Sequence, residues 1–90
     1  MDGNNIVCCI HPFLRYHNID VYKDGGKVLE TKSTLDELEL TLYGLAMEYK
    51  INDISIGGNG SWRPIGEKIR RTFKAEKYAN KGINVIMMER

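Results

Sequence analysis

The sequence predicts an α/β protein in which two helices cover a five-stranded mixed sheet. Apolar or alternating runs of about four to eight residues mark five strands. Two longer stretches repeat apolar residues every three or four positions, which is typical of helices that pack on a sheet. The elements follow in the order β-β-β-α-β-α-β. With 90 residues and a formal charge of +1, residues 1–90 are expected to form one domain.

The first third of the chain predicts three consecutive antiparallel strands. Ile6 to Ile10 is an apolar run without alternation, which is typical of a strand buried on both faces. Tyr16 to Lys23 alternates between apolar and polar residues, and Asp24 to Gly26 has the composition of a tight hairpin turn. Lys27 to Thr31 then returns as the third strand. This part of the sequence therefore predicts a three-stranded antiparallel meander.

Thr34 is predicted to begin the first helix, because Thr34 and Glu37 have the spacing of a capping box. One face of this helix is expected to pack on the sheet, and it carries Leu35, Leu38, Leu42, Leu45, Ala46 and Tyr49. The opposite face repeats Leu40, Tyr43 and Met47 at helical spacing. This stripe is either a simply exposed apolar surface or an interface, in a homo-oligomer or with another protein, because contiguous exposed apolar patches often mark contacts.

The stretch from Asp53 to Lys74 predicts a buried strand, a glycine-rich turn and a second helix that begins directly after the turn. Glycines let backbone amides approach a ligand, and the start of a helix adds unpaired N–H groups and the positive end of its dipole. The plain alternative is an ordinary short connection between a strand and a helix. The predicted ligand-binding residues in this stretch are Gly57, Gly58, Asn59, Gly60, Ser61, Trp62 and Arg63.

Each part of this stretch has an expected role in binding. Ser61 is expected to cap the helix, and the amides from Gly58 to Trp62 are expected to hold phosphate oxygens. Arg63, together with Lys68 or Arg15, would neutralise the bound charge. The ring of Trp62 either stacks on a base or anchors the packing of the helix.

Ile83 to Met88 predicts the last strand, and right-handed crossovers then give the strand order 3-2-1-4-5 with only the second strand antiparallel. In such sheets ligands gather outside the carboxyl ends of the parallel strands. His11 and Arg15 follow the first strand, so both are expected to share a cleft with the glycine-rich turn. The alternatives are that His11 caps the strand end and that Arg15 is a solvated turn residue.

The second helix and its C-terminal flank carry a predicted basic face that the balanced net charge conceals. Such a face is either solvated or contacts a phosphate backbone, where each cation displaces a condensed counterion. Its residues are Lys68, Arg70, Arg71, Lys74 and Lys77.

Two stretches resemble the Holliday-junction-resolvase branch of the ribonuclease H-like superfamily. Ile10 to Gly25, IHPFLRYHNIDVYKDG, is similar to that family's first-strand signature, and Ile54 to Ile69, ISIGGNGSWRPIGEKI, is similar to its fourth strand with the loop and helix that follow. The element order is also that of the ribonuclease H-like core. The resemblance implies this fold over nearly the whole chain, together with phosphodiester cleavage by two divalent metal ions held by carboxylates.

The departures from that family pattern argue against cleavage. His11 stands at the position of the first-strand aspartate, and Gly57 or Gly58 stands where the fourth strand ends in an acidic residue. The C-terminal helix that supplies further acids does not follow the last strand in this sequence. Asp20 and Asp53 remain, but the predicted topology does not bring them to His11. The sequence therefore predicts no catalytic residue, no metal site and no cofactor.

Neither a membrane span nor a secretory signal is expected in this sequence. Cys8 and Cys9 are adjacent in an apolar run, which predicts free thiols in a cytoplasmic protein. Compact chains of this type are common in phages and mobile elements.

The leading hypothesis is a non-catalytic protein that binds a nucleotide or a nucleic-acid phosphate, as a homo-oligomer. The alternatives are a small interaction or inhibitory factor and a degenerate metal-dependent nuclease.

Overall fold

A computed structural model, which describes residues 3–75 and 77–88, contains the predicted elements in the predicted order. The sheet order is β3-β2-β1-β4-β5, with β2 antiparallel to both of its neighbours and with β1, β4 and β5 parallel. The α/β class and the strand order are therefore confirmed. The strands are β1 (Asn5–Ile10), β2 (His17–Lys23), β3 (Gly26–Ser33), β4 (Asp53–Gly58) and β5 (Asn84–Met87), and the helices are α1 (Leu38–Tyr49) and α2 (Trp62–Lys74).

Both helices cover the same face of the sheet. The crossovers from β3 to β4 and from β4 to β5 run in the same direction across the sheet, so two right-handed connections place α1 and α2 on one side. On β1, Ile6, Cys8 and Ile10 are buried, while Val7 and Cys9 on the opposite face are only half-buried. The prediction that β1 is buried on both faces was therefore wrong. We call the uncovered side the open face.

The core lies between the helices and the covered face of the sheet. Tyr78, in the loop after α2, closes one side of this core through ring contacts with Phe73 and Tyr43, at centroid distances of 4.9 and 5.0 Å. Its hydroxyl donates a 2.5 Å hydrogen bond to the carboxylate of Glu39 and so joins this loop to α1. The fully buried apolar side chains are Ile6, Cys8, Ile10, Ile19, Val21, Leu38, Leu42, Ile51, Ile54, Ile56 and Phe73.

Helix α1 begins at Leu38, four residues later than predicted. The hydroxyl of Thr34 donates to the carboxylate of Glu37 at 3.2 Å, so the two capping-box residues bond to each other through their side chains. The N-cap is Glu37, which makes no side-chain cap bond. Residues 35–37 form a turn, and Leu35 is exposed ahead of the helix.

The other element ends differ from their predicted positions by at most two residues. The third strand extends to Ser33, whose hydroxyl donates to the carbonyl oxygen of Thr34. The fourth strand includes Gly57 and Gly58, which were predicted as part of the turn. No helix within the described ranges is long and apolar enough to cross a membrane.

Candidate functional site

Two loops meet at the carboxyl ends of β1 and β4, as the strand order predicts. The backbone N–H of Asn59 donates to the carbonyl oxygen of Ile10 at 3.3 Å. Gly58 lies against the same carbonyl group, so closely that a β-carbon at this position would collide with the oxygen of Ile10. Glycine at this position therefore lets the loop after β4 pack directly on the end of β1.

His11 connects the two loops through its side chain. Its Nδ1 lies 3.4 Å from the amide nitrogen of Asn59, and its Nε2 lies 3.3 Å from the amide nitrogen of Asn18 on β2. Both partners are amide NH2 groups, which donate, and a neutral imidazole has one acceptor nitrogen, so each tautomer of His11 accepts a hydrogen bond from one of the two side chains. The structure thus brings His11 and Asn59 together, as the sequence led us to expect.

His17 supports this arrangement from the core side. It is buried on β2, and its Nδ1 accepts a 3.1 Å hydrogen bond from the backbone N–H of His11. Burial, and secondarily the nearby charge of His11, lowers the pKa of His17 below its ordinary value. The neutral ring is therefore favoured, and only an unprotonated Nδ1 can accept this bond.

A cleft of 320 Å³ opens on the β1–β2 side of His11. Arg15 lies in this cleft, and its guanidinium carbon is 5.9 Å from the ring centroid of Tyr16. The described lining contains two cations and no carboxylate, which suits an anion. The lining residues are His11, Leu14, Arg15, Tyr16, Asn18 and Lys32. Arg15 and His11 thus share a cleft, but the predicted glycine-turn residues do not line it.

An exposed apolar pair beside the cleft was not singled out from the sequence. Phe13 is 87% exposed and Leu14 is 63% exposed. The ring of Phe13 lies next to Gly60, where a β-carbon would be 3.5 Å from its Cε2. The available signal was two apolar residues between Pro12 and Arg15, inside a loop, where burial is not expected.

The start of α2 departs from the predicted phosphate cradle. Ser61 is the N-cap residue of α2, as predicted, but its side chain makes no cap hydrogen bond. The backbone N–H of Asn59 already donates to the carbonyl oxygen of Ile10, and Pro64 contributes no N–H to the first turn of α2. Fewer amides are therefore available to a ligand than the sequence suggested.

Trp62 anchors the packing of α2. Its Cβ would be 2.9 Å from a β-carbon at Gly58, and its ring would be 3.0 Å from a β-carbon at Gly66. The guanidinium carbon of Arg63 lies 5.3 Å from the Trp62 ring centroid. Of the two predicted roles for Trp62, the structure shows the packing anchor.

The predicted basic face is partly neutralised. Arg70 donates to Glu67 at 2.8 Å, and Lys77 lies beyond the end of α2, 3.5 Å from the carboxylate of Glu39. Lys68, Arg71 and Lys74 are exposed on α2. Two of the five predicted cations therefore pair with carboxylates.

The predicted apolar stripe on α1 is also divided. Leu40 is 64% exposed and Met47 is 53% exposed, whereas Tyr43 is partly buried against the ring of Tyr78. Leu40 and Met47 remain available for a contact.

Metal-ligating and thiol chemistry find little support in the described residues. No three side chains of His, Cys, Asp or Glu among them gather closely enough to hold a metal ion. The carboxylate oxygen Oδ1 of Asp20, on the open face, lies 3.7 Å from Nζ of Lys27. Burial, and secondarily the neighbouring Cys9, raises the pKa of the Cys8 thiol to about 12, which makes this thiol unreactive.

Comparisons with known proteins give a structural likeness. No family model matches the chain, and no curated protein matches it in sequence. A Bacteroides thetaiotaomicron protein, whose crystal structure is described as having an actin-like ATPase fold and unknown function, superimposes with a TM-score of 0.69 and 14% identity. The match covers 97% of this chain and 33% of that protein. At this identity the likeness shows the fold alone, and the chain spans about a third of the length of that protein.

Proposed function

We propose that the chain is a non-catalytic binding protein for an anionic ligand, either a nucleotide or a nucleic-acid phosphate. The ligand would lie at the carboxyl ends of β1 and β4. The observation that carries the proposal is the cleft beside His11, in which Arg15 and Lys32 stand without a carboxylate among the described lining residues.

The charge and aromatic character of this end support the proposal. Arg15 and Lys32 can pair with phosphate oxygens, and a guanidinium can do so with two parallel hydrogen bonds. The ring of Tyr16 lines the cleft with these cations, and the exposed ring of Phe13 lies near Gly60, so both offer surfaces on which a base can stack. Arg63 would approach the ligand from the start of α2.

The description of the structural neighbour as having an ATPase fold favours a nucleotide among anionic ligands. The resemblance to the ribonuclease H-like superfamily supports a nucleic-acid phosphate instead. We propose the absence of cleavage because His11, and Gly57 or Gly58, stand at the positions that the family fills with carboxylates.

Binding of ATP by calorimetry, and of a labelled single-stranded oligonucleotide by fluorescence anisotropy, tests the proposal. We expect Arg15→Glu and Lys32→Glu each to weaken binding by about tenfold or more, because each replaces an attractive charge with a repulsive one. Lys81→Glu is the matched control. It makes the same charge change in the loop before β5, at the opposite end of the sheet, and should change affinity by less than about twofold.

Two results would contradict the proposal. One is a wild-type protein that binds neither probe at low salt. The other is an equal loss of affinity in Lys81→Glu, which would show that net charge alone draws the ligand. Arg63→Glu separates the two sides of the site, because it should weaken binding only if the ligand reaches α2.

A second candidate function, a protein-interaction factor, is favoured by the exposure of Leu40 and Met47 on α1. Apolar side chains on one helix face can enter a groove of a partner protein. Met47→Glu should then abolish capture of that partner, while the far-ultraviolet circular dichroism stays unchanged. If Met47→Glu retains both partner capture and mass in solution, this surface has no such role.

A further inference from the structure

Strand β5 ends the sheet with a backbone that is ready to pair. The N–H of Asn84 donates to Asn52 at 2.7 Å, and the N–H of Met88 donates to Ile56 at 2.8 Å. These bonds, with the parallel register, direct the backbone of residues 84, 86 and 88 towards β4. The N–H and C=O groups of Val85 and Met87 therefore point away from the sheet.

The two edges of the sheet differ in charge. The other edge strand, β3, carries Lys27, Glu30 and Lys32, and a bulge interrupts its pairing with β2 near Val21. Charged residues and bulges are features that discourage pairing with another chain. The segment from Ile83 to Met88 contains no charged residue, so a second copy can approach β5 without placing like charges opposite each other.

We propose that β5 pairs with β5 of a second copy of this chain, antiparallel and centred on Ile86, to form a two-fold homodimer with one continuous sheet. In this register Val85 lies opposite Met87 of the other copy, and each pair exchanges two backbone hydrogen bonds. Ile86 faces its own copy in a non-hydrogen-bonded pair, where Cα atoms are about 4.5 Å apart.

The side chains fit this register. Ile86 is 45% exposed and Met88 is 37% exposed, both on the open face. Pairing across the two-fold axis brings the Ile86 side chains of both copies together, with Met88 of each copy beside them. On the covered face, Val85 and Met87 meet their counterparts and extend the apolar core. The dimer thus buries apolar surface that a monomer exposes.

A short strand makes a small interface, so the dimer is expected to be weak and dependent on concentration. Sedimentation equilibrium from about 10 µM to about 1 mM protein should show the wild type moving from monomer towards dimer. Ile86→Lys should remain monomeric, because it places like charges directly opposite each other. Val85→Pro should also remain monomeric, because proline lacks the N–H with which Val85 would pair with Met87 of the second copy. This N–H points away from the sheet, so its loss should leave the fold of the monomer intact.

Val28→Lys is the matched control, since it adds the same charge at an exposed apolar position on the other edge strand, β3. It should dimerise like the wild type. Thermal unfolding of each variant confirms that it is folded at the temperature of measurement. A wild type that stays monomeric at about 1 mM overturns the proposal, and so does dimerisation that Val28→Lys abolishes while Ile86→Lys does not.

Disulfide trapping tests the register itself, in a Cys9→Ser background that removes the partly exposed native thiol. Ile86→Cys should cross-link to its own copy under oxidised glutathione, because the expected Cα separation fits a disulfide. Met88→Cys should not, because the two copies of residue 88 would lie about 13 Å apart. Val28→Cys, on the β3 edge, serves as the second negative control.

Equal cross-linking of all three variants would mean random collision and would overturn the proposal. Efficient cross-linking of Met88→Cys with none of Ile86→Cys would overturn the register.

Discussion

At the scale of single residues, the two histidines near the end of β1 have different tasks. His11 contacts Asn18 and Asn59 through its ring, while its backbone N–H is held by the buried ring of His17. The alternation along β2 puts His17 on the same face as Ile19 and Val21, and the structure buries all three side chains. The sequence did not show the bond between the two histidines, since that bond depends on how the loop turns after Pro12.

We expect the protein to become less stable as the pH is lowered, because of His17. Its folded pKa is lowered, mainly by burial and further by His11, from an ordinary value of 6.5. Above pH 6.5 the ring is neutral in both states, and its contribution is complete. As pH falls below 6.5, the unfolded chain takes up a proton that the folded protein resists, so the free energy of unfolding decreases until pH passes the folded pKa.

Urea denaturation at pH 7.5 and at steps down to pH 5 measures this effect, and NMR titration of the His17 ring gives the folded pKa directly. His17→Asn should flatten the pH dependence, because its amide cannot titrate in this range. A folded pKa at or above 6.5 would refute the expectation.

At the scale of elements, a glycine in β4 is required for packing, whereas a glycine in α1 is not. Gly58, at the end of β4, faces the carbonyl oxygen of Ile10 and the β-carbon of Trp62. Gly44, in α1, is exposed, and a β-carbon there would meet nothing within 4 Å. The first position therefore requires glycine for close packing, whereas the second only gives up helix propensity.

Gly58→Ala should destabilise the protein by about 2–4 kcal/mol, because a methyl group must displace backbone at the junction of the two loops. Gly44→Ala should stabilise it by about 0.5–1 kcal/mol. Urea denaturation of the two variants makes the comparison, since both substitutions add the same atoms. If Gly58→Ala is as stable as the wild type, the loop does not require this contact.

The start of α1 shows why element ends resist prediction. Thr34 and Glu37 match a capping box in spacing, but their side chains bond to each other, and the chain makes a turn before Leu38. Of the stripe predicted to face the sheet, Leu38, Leu42 and Ala46 are buried, whereas Leu35 precedes the helix and is exposed. The periodicity therefore predicts the helix but not the residue at which it begins.

At the scale of the whole molecule, strand order followed from the sequence but the covering of the sheet did not. The apolar run from Ile6 to Ile10 was interpreted as a strand with two covered faces. Two crossovers in the same direction leave the open face without a helix, so Val7 and Cys9 are only half-buried. Apolar composition alone does not distinguish a covered face from a half-covered one.

The candidate site was predictable in its location and not in its lining. The carboxyl ends of β1 and β4 had to be adjacent, and this brought His11 to Asn59. Lys32 lines the cleft together with Arg15, because β3 extends to Ser33, beyond its predicted end. The sequence does not indicate the exposure of Phe13, because this residue lies in a loop without periodicity.

The position of Trp62 gives the protein its own optical probe. It is the single tryptophan of the chain, half-buried at the start of α2 with the guanidinium of Arg63 near its ring. A ligand that draws Arg63 towards itself changes the polarity and quenching around the indole. Intrinsic fluorescence of the unlabelled protein can therefore follow events at this end of the sheet.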